Sequence, residues 1–139
     1  MTSTPPHAAS APCSPRVSGV AVLAVFVAGM LGTALRYGLD VAIPNSPTQF
    51  PTATLLINVV GAFVLGFLTS RVWPVAPVWL RAALGPGLLG SFTTFSAVMV
   101  ALVTMAEGTA TFLALVYLIA TLVLGFGAAG LGLWTGRRR

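Results

Sequence analysis

The sequence predicts an all-α integral membrane protein with four transmembrane helices per subunit and no separate soluble domain. Hydrophobic residues make up 57% of the 139 positions and charged residues only 6%, against about 25% charged in an ordinary soluble domain. Four long runs each approach or exceed the roughly 20 apolar residues that a helix needs to span a hydrocarbon core of about 30 Å. The connections between these runs are short, so little chain is left for anything outside the membrane.

Residues 1–15 (MTSTPPHAASAPCSP) are rich in Pro, Ser, Thr and Ala. Such a segment has too little apolar surface to fold, and a disordered N-terminal tail is expected. No basic segment opens it and no cleavage pattern follows the first apolar run, so a signal peptide is not expected. Cys13 and His7 both fall in this tail. A single thiol excludes an internal disulfide, and one histidine leaves no metal cluster to build.

The four-helix unit is expected over 16–139. Its first span covers about 17–37 and is uncharged until Arg36, with Ala24, Ala28 and Gly32 forming a stripe of small residues. Pro44, Asn45, Pro47 and Pro51 then make a stiff polar turn. The second span, about 52–70, ends before Arg71. Trp73, Pro74 and Pro77 lie in the next connection with Trp79 just beyond, which suits the aromatic belt of a membrane interface. The third span, about 80–105, carries Arg81 in its first turn, and Glu107-Gly108 closes it. The fourth, about 109–134, precedes Arg137, Arg138 and Arg139.

The formal charge of +5 comes from seven arginines against Asp40 and Glu107. The arginines stand singly or at the chain end, with no basic face that would suit nucleic acid, so lipid phosphates are the expected partners. Four spans put both termini and the second connection on one side. That side holds Arg16, Arg71, Arg81 and the three terminal arginines, while Arg36, balanced by Asp40, lies on the other. The positive-inside rule therefore places both termini in the cytoplasm, in a multi-pass inner-membrane protein.

Polar groups at membrane depth are costly, which makes each a functional candidate. Asn58 lies in the second span with Thr54 one turn before it. It is either a pore group or an amide joining two helices. The third span carries Gly85-Pro86-Gly87-Leu88-Leu89-Gly90-Ser91-Phe92-Thr93-Thr94-Phe95-Ser96. Pro86 removes a backbone donor and the glycines weaken the helix, so a break in mid-membrane is expected, with Ser91, Thr93, Thr94 and Ser96 bringing hydroxyls there. Non-helical backbone at that depth persists only where protein or a polar cavity covers it, and freed carbonyls there suit a cation. In the fourth span Tyr117 and Thr121 share a face, and Gly125, Gly127, Gly130 and Gly132 are expected to permit close helix contact. Both acids fall at span ends. That disfavours a small multidrug-type exporter, which needs a carboxylate inside the membrane. No nucleophile–base pair or phosphate loop is present, so an enzyme is not expected.

Three segments carry a family resemblance: Gly29-Met-Leu-Gly32-Thr-Ala-Leu-Arg36-Tyr37, Pro51-Thr-Ala-Thr54-Leu-Leu-Ile-Asn58-Val-Val-Gly61-Ala-Phe63, and Gly90-Ser-Phe-Thr93-Thr94-Phe95-Ser96. In these, and in the length and spacing of its spans, the chain resembles the small fluoride channels of the CrcB/Fluc family. The resemblance implies an antiparallel, dual-topology-type dimer with two narrow fluoride pores and a structural sodium ion (Na+) at its centre. It places Asn58 and Phe95 beside the pore, with Thr54, Ser96, Tyr117 and Thr121 at polar or pore-facing positions. The sodium ligands would be the backbone carbonyls of Gly90 and Thr93 from both subunits. Amide and hydroxyl donors can replace the water around fluoride, and the positive edge of a phenyl ring can face an anion. Two positions depart from the family: Val98 stands where a second Phe is usual, and Ala101 where many members carry Glu. With the arginine bias, these departures point to a heterodimer with an inverted paralogous subunit rather than a homodimer, or to a non-conducting partner subunit.

Overall fold

The computed structural model describes residues 18–43 and 50–137. The expected disordered tail, the proline turn at 44–47 and the arginines at 16, 138 and 139 lie outside these. Every regular element among the described residues is helical: α1 (Gly19–Ala42), α2 (Thr52–Arg71), α3 (Val78–Ala82), a π-helical segment (Ala83–Leu89), α4 (Gly90–Phe92), α5 (Ser96–Glu107) and α6 (Thr111–Arg137). Four stretches among the described residues are long and apolar enough to cross a membrane: Gly19–Ala42, Thr52–Arg71, Val78–Glu107 and Thr111–Arg137.

The helix starts follow from local chemistry. Ser18 Oγ accepts the Ala21 N–H at 3.1 Å and caps α1. α2 and α3 each begin directly after a proline, Pro51 and Pro77, which has no N–H to leave unpaired. α1 runs on to Ala42, so Asp40 lies on the helix rather than in the following turn. No ion pair joins Asp40 to Arg36 among the described residues. Instead Arg36 Nε is buried without a partner, so the expected balance is one of charge count and not of contact.

Two helix pairs make up the fold. Gly32 of α1 presses against the Leu88 carbonyl, and Gly87 meets the Val25 carbonyl and Ala28 Cβ, so the small stripe of the first span is a packing seam against the third. α2 and α6 run parallel. Gly66 lies against Ala129, Gly132 against the Phe63 carbonyl and Gly136 against Ser70. A Cβ at any of these three would collide with the neighbour, which is why backbones this close need glycine. Gly125, Gly127 and Gly130 face open space. Of the glycines expected to form the α6 seam only Gly132 does so, with Gly136 one turn on, because the seam follows the i, i+4 row facing α2.

Between α5 and α6 a small core forms from Val98, Met105, Ala114 and Tyr117, with Phe50 and Leu55 packed against it. Some hydroxyls in the spans are satisfied within their own helix. Thr69 Oγ1 donates to the Leu65 carbonyl at 2.7 Å and Thr135 Oγ1 to that of Leu131 at 2.9 Å. The turn after α5 puts Thr109, not Gly108, in the left-handed region, at φ 64°. The Ala110 N–H reaches back to the Met105 carbonyl at 2.9 Å, a closure that needs the left-handed residue one place beyond Gly108.

Candidate functional site

Pro86 does not end the helix that contains it. It has no N–H, and its ring would strike the carbonyl four residues back in an α-helix. The chain widens into the π-helical segment Ala83–Leu89 instead, and the Gly90 N–H reaches the Gly85 and Gly87 carbonyls. The regular helix stops later, at Phe92. Thr93 is extended, at φ −77° and ψ 154°, and α5 begins at Ser96.

Asn58 holds this stop from across the subunit. Its Nδ2 donates to the Thr94 carbonyl at 2.9 Å, and its Oδ1 accepts the Thr94 N–H at 2.8 Å. The side-chain amide thus pairs with one residue's backbone at both ends, meeting the two polar groups that leaving the helix sets free. Thr93 Oγ1 donates to the Leu89 carbonyl at 2.8 Å, and its methyl abuts Gly61. Thr94 Oγ1 accepts the Ala97 N–H at 3.2 Å and lies 3.2 Å from Ser96 Oγ. No hydrogen bond reaches the Gly90 or Thr93 carbonyl among the described residues.

A cleft of about 570 Å³ opens at this point. Of the residues singled out by sequence, Asn58, Gly90, Thr93, Phe95 and Thr121 line it, and so does Val98. Phe95 is 75% exposed, whereas Val98, one turn on, is 2% exposed and belongs to the core. Ser96 is exposed beside Thr94. Thr54 is half-buried one turn before Asn58 and does not border the cleft. Tyr117 is wholly buried behind it, next to Val98. Tyr117 OH and Thr121 Oγ1 interact one turn apart, but both are buried and neither makes a hydrogen bond of full geometry. Arg36, at the end of α1, is not brought to this cleft.

Sequence reasoning missed the roles of two residues. Thr94 is one of two adjacent threonines, and only the fold reveals which of them Asn58 grips. Trp73, assigned to the membrane interface, turns inward against Gly85 and lines the cleft with its indole N–H buried and unpaired.

The residues lining the cleft include unpaired donors (Thr121, Trp73) and unpaired carbonyl oxygens (Gly90, Thr93), with no carboxylate among them. No cluster of three His, Cys, Asp or Glu occurs among the described residues. Such a site can replace hydration around a small ion but has no group to transfer a proton or form a bond.

The model of the family described as CrcB-like protein, Camphor Resistance (CrcB) matches residues 23–133. Among curated proteins, the chain is 43% identical over 118 residues to fluoride-specific ion channel FluC 1 of Leifsonia xyli subsp. xyli, covering 83% of this chain and 85% of that protein. It is 42% identical over 117 residues to fluoride-specific ion channel FluC 2 of Bacillus subtilis, covering 83% and 86%. To fluoride-specific ion channel FluC of Prosthecochloris aestuarii it is 38% identical over 119 residues, covering 84% and 93%.

Proposed function

The chain belongs to the CrcB/FluC family, and from that premise we propose that it is a subunit of a fluoride-selective channel that lets cytoplasmic fluoride leave the cell passively. The observation that carries the reading is the cleft at the Asn58–Thr94 junction, where Thr121 and Trp73 keep unpaired donors and the exposed Phe95 ring stands at the wall. Fluoride holds its water strongly, so a selective path must offer donors in place of that water. The second N–H of the Asn58 amide, the Thr121 hydroxyl and the edge of Phe95 supply them. Tyr117, Thr54 and Ser96 support this wall from behind or beside it. With a negative-inside potential the anion is driven outward without any coupled ion.

A structural sodium ion belongs to the same reading. The donor set suits it, since the Gly90 and Thr93 carbonyls are neutral, hard oxygen ligands without hydrogen-bond donors. When bound, sodium supplies a fixed positive charge between two subunits and favours anions nearby. Two carbonyls from one chain leave a small cation under-coordinated, which supports a dimer in which a second subunit contributes its own pair.

The partner in that dimer is an inverted paralogue rather than an identical chain. Arg71 ends α2, Arg137 ends α6 beside it and Arg81 lies in α3, so these three and all three tryptophans gather at one end of the subunit. Asp40 and Glu107, the only acids, lie at the other. Such polarity supports an orientation with the arginine end, and both termini, in the cytoplasm. An antiparallel dimer of identical chains would force half of them against this bias.

Fluoride efflux from liposomes containing this chain alone, with a potassium ionophore and a chloride control, tests the reading. Selective fluoride release establishes the channel and shows that one chain type suffices. Absence of release from this chain, followed by release after co-reconstitution with an inverted paralogue, establishes the heterodimer. Absence in both overturns the channel reading.

A further inference from the structure

The unpaired carbonyls of Gly90 and Thr93 have a common origin. In a continuous α-helix the Thr94 N–H would donate to the Gly90 carbonyl and the Ala97 N–H to the Thr93 carbonyl, each four residues back. Here both donors are diverted to side chains. The Thr94 N–H goes to Asn58 Oδ1 at 2.8 Å, and the Ala97 N–H goes to Thr94 Oγ1 at 3.2 Å.

Thr94 stands in both exchanges. Its backbone is held on either side by the Asn58 amide, and its hydroxyl takes the donor that helix continuation would hand to Thr93. The Thr93 hydroxyl does not do this work, because it is turned back to the Leu89 carbonyl. Ser96 Oγ lies 3.2 Å from the Thr94 hydroxyl. Either hydroxyl of that pair can donate to the other, and in both cases Thr94 Oγ1 keeps a lone pair for the Ala97 N–H. The geometry is that of a helix N-cap moved into the interior of a span.

We infer that Thr94 is a positioning residue for a small-cation site: by capping Ala97 its hydroxyl keeps the Thr93 carbonyl free to serve as an oxygen ligand. The inference rests on the reading of Gly90 and Thr93 as sodium ligands given above. Remove the hydroxyl, and the Ala97 N–H loses its acceptor, while the Thr93 carbonyl is the one that helix continuation would offer it. α5 then gains a bond upstream and the carbonyl turns along the helix axis. Thr94 itself touches no cation; it acts through Thr93.

The test is sodium-dependent thermal stability of the purified full-length chain, alone and in complex with an inverted paralogue, titrated with sodium chloride against an organic-cation chloride at constant ionic strength. Thr94→Val keeps the shape and removes the acceptor, whereas Thr94→Ser keeps the acceptor. The expected result is the same sodium midpoint for the unaltered chain and T94S. For T94V the midpoint rises by about tenfold or more, the scale seen when a group orienting a metal ligand is lost. Melting temperatures at saturating sodium separate this from a general loss of packing, and T94A replaces T94V if the valine variant does not fold. A T94V midpoint equal to that of the unaltered chain overturns the inference, as does the absence of any sodium response both from the chain alone and from its complex with an inverted paralogue. Fluoride efflux by the unaltered chain is scored separately, so a failure of the channel reading is distinct from either.

Discussion

Phe50 meets Tyr117 edge to face, with ring centroids 5.4 Å apart and ring planes at 90°. The contact anchors the entry to α2 on a residue of α6 that is wholly buried. The tyrosine hydroxyl lies inside the protein with only the contact to Thr121 Oγ1, short of full hydrogen-bond geometry. A phenol in such a place contributes its ring to packing and its hydroxyl to something else. The expectation is that Tyr117→Phe leaves thermal stability unchanged or raises it by about 1 kcal/mol, the order of an unpaired buried donor. Fluoride flux falls in the same variant. Equal flux would show that the hydroxyl takes no part in permeation.

Asn58 joins α2 to the start of the second half of the third span, and its removal strips partners from both the Thr94 N–H and carbonyl. Asn58→Ala is expected to lower stability by about 1–3 kcal/mol, since two backbone groups lose their bonds, and to reduce fluoride flux together with it. Thermal melts and liposome flux measure the two effects. Full stability with lost flux would mean that the amide serves the ion and not the fold.

Gly132 has no room for a side chain, because an added Cβ would collide with the Phe63 carbonyl. Gly132→Ala should therefore separate α2 from α6 and cost about 1–3 kcal/mol. Gly127, on the same helix, faces open space, and Gly127→Ala should be neutral or stabilising by up to about 1 kcal/mol through helix propensity. Thermal melts of the two variants side by side check the seam.

Val98 is 2% exposed and packs with Tyr117, although the family resemblance puts a pore-wall phenylalanine at this position. Val98→Phe is expected to destabilise the subunit by about 1–3 kcal/mol as the ring displaces its neighbours, with no gain in flux from this chain alone. A rise in flux without loss of stability would instead identify position 98 as a missing part of the wall.

Thr109 sits at φ 64° in the turn between α5 and α6. A β-branched residue there is strained by about 1–2 kcal/mol, whereas glycine is not. Thr109→Gly is expected to raise the melting temperature without changing flux, and a lower melting temperature would refute the assignment of strain to this turn.

Composition and run length by themselves determined that this chain is helical and crosses a membrane four times. Each span is a local matter of some 20 consecutive residues that lipid accepts and whose backbone polar groups close within the helix. The family was equally legible, because its motifs are contiguous. Asn58, Phe95 and the Gly90–Thr93 stretch were visible as polar or irregular groups in apolar runs. What the sequence did not reveal is which partner each group takes. Pro86 drew attention to itself, yet the π-helical segment absorbs it, and the helix stops six residues later at Phe92, just before Thr94, which a side chain 36 positions away grips. Likewise four glycines of α6 looked equivalent, and only Gly132 meets α2. These choices belong to the tertiary structure, because a hydrogen bond or a close backbone approach needs a second element at a defined height and rotation. Local periodicity sets neither.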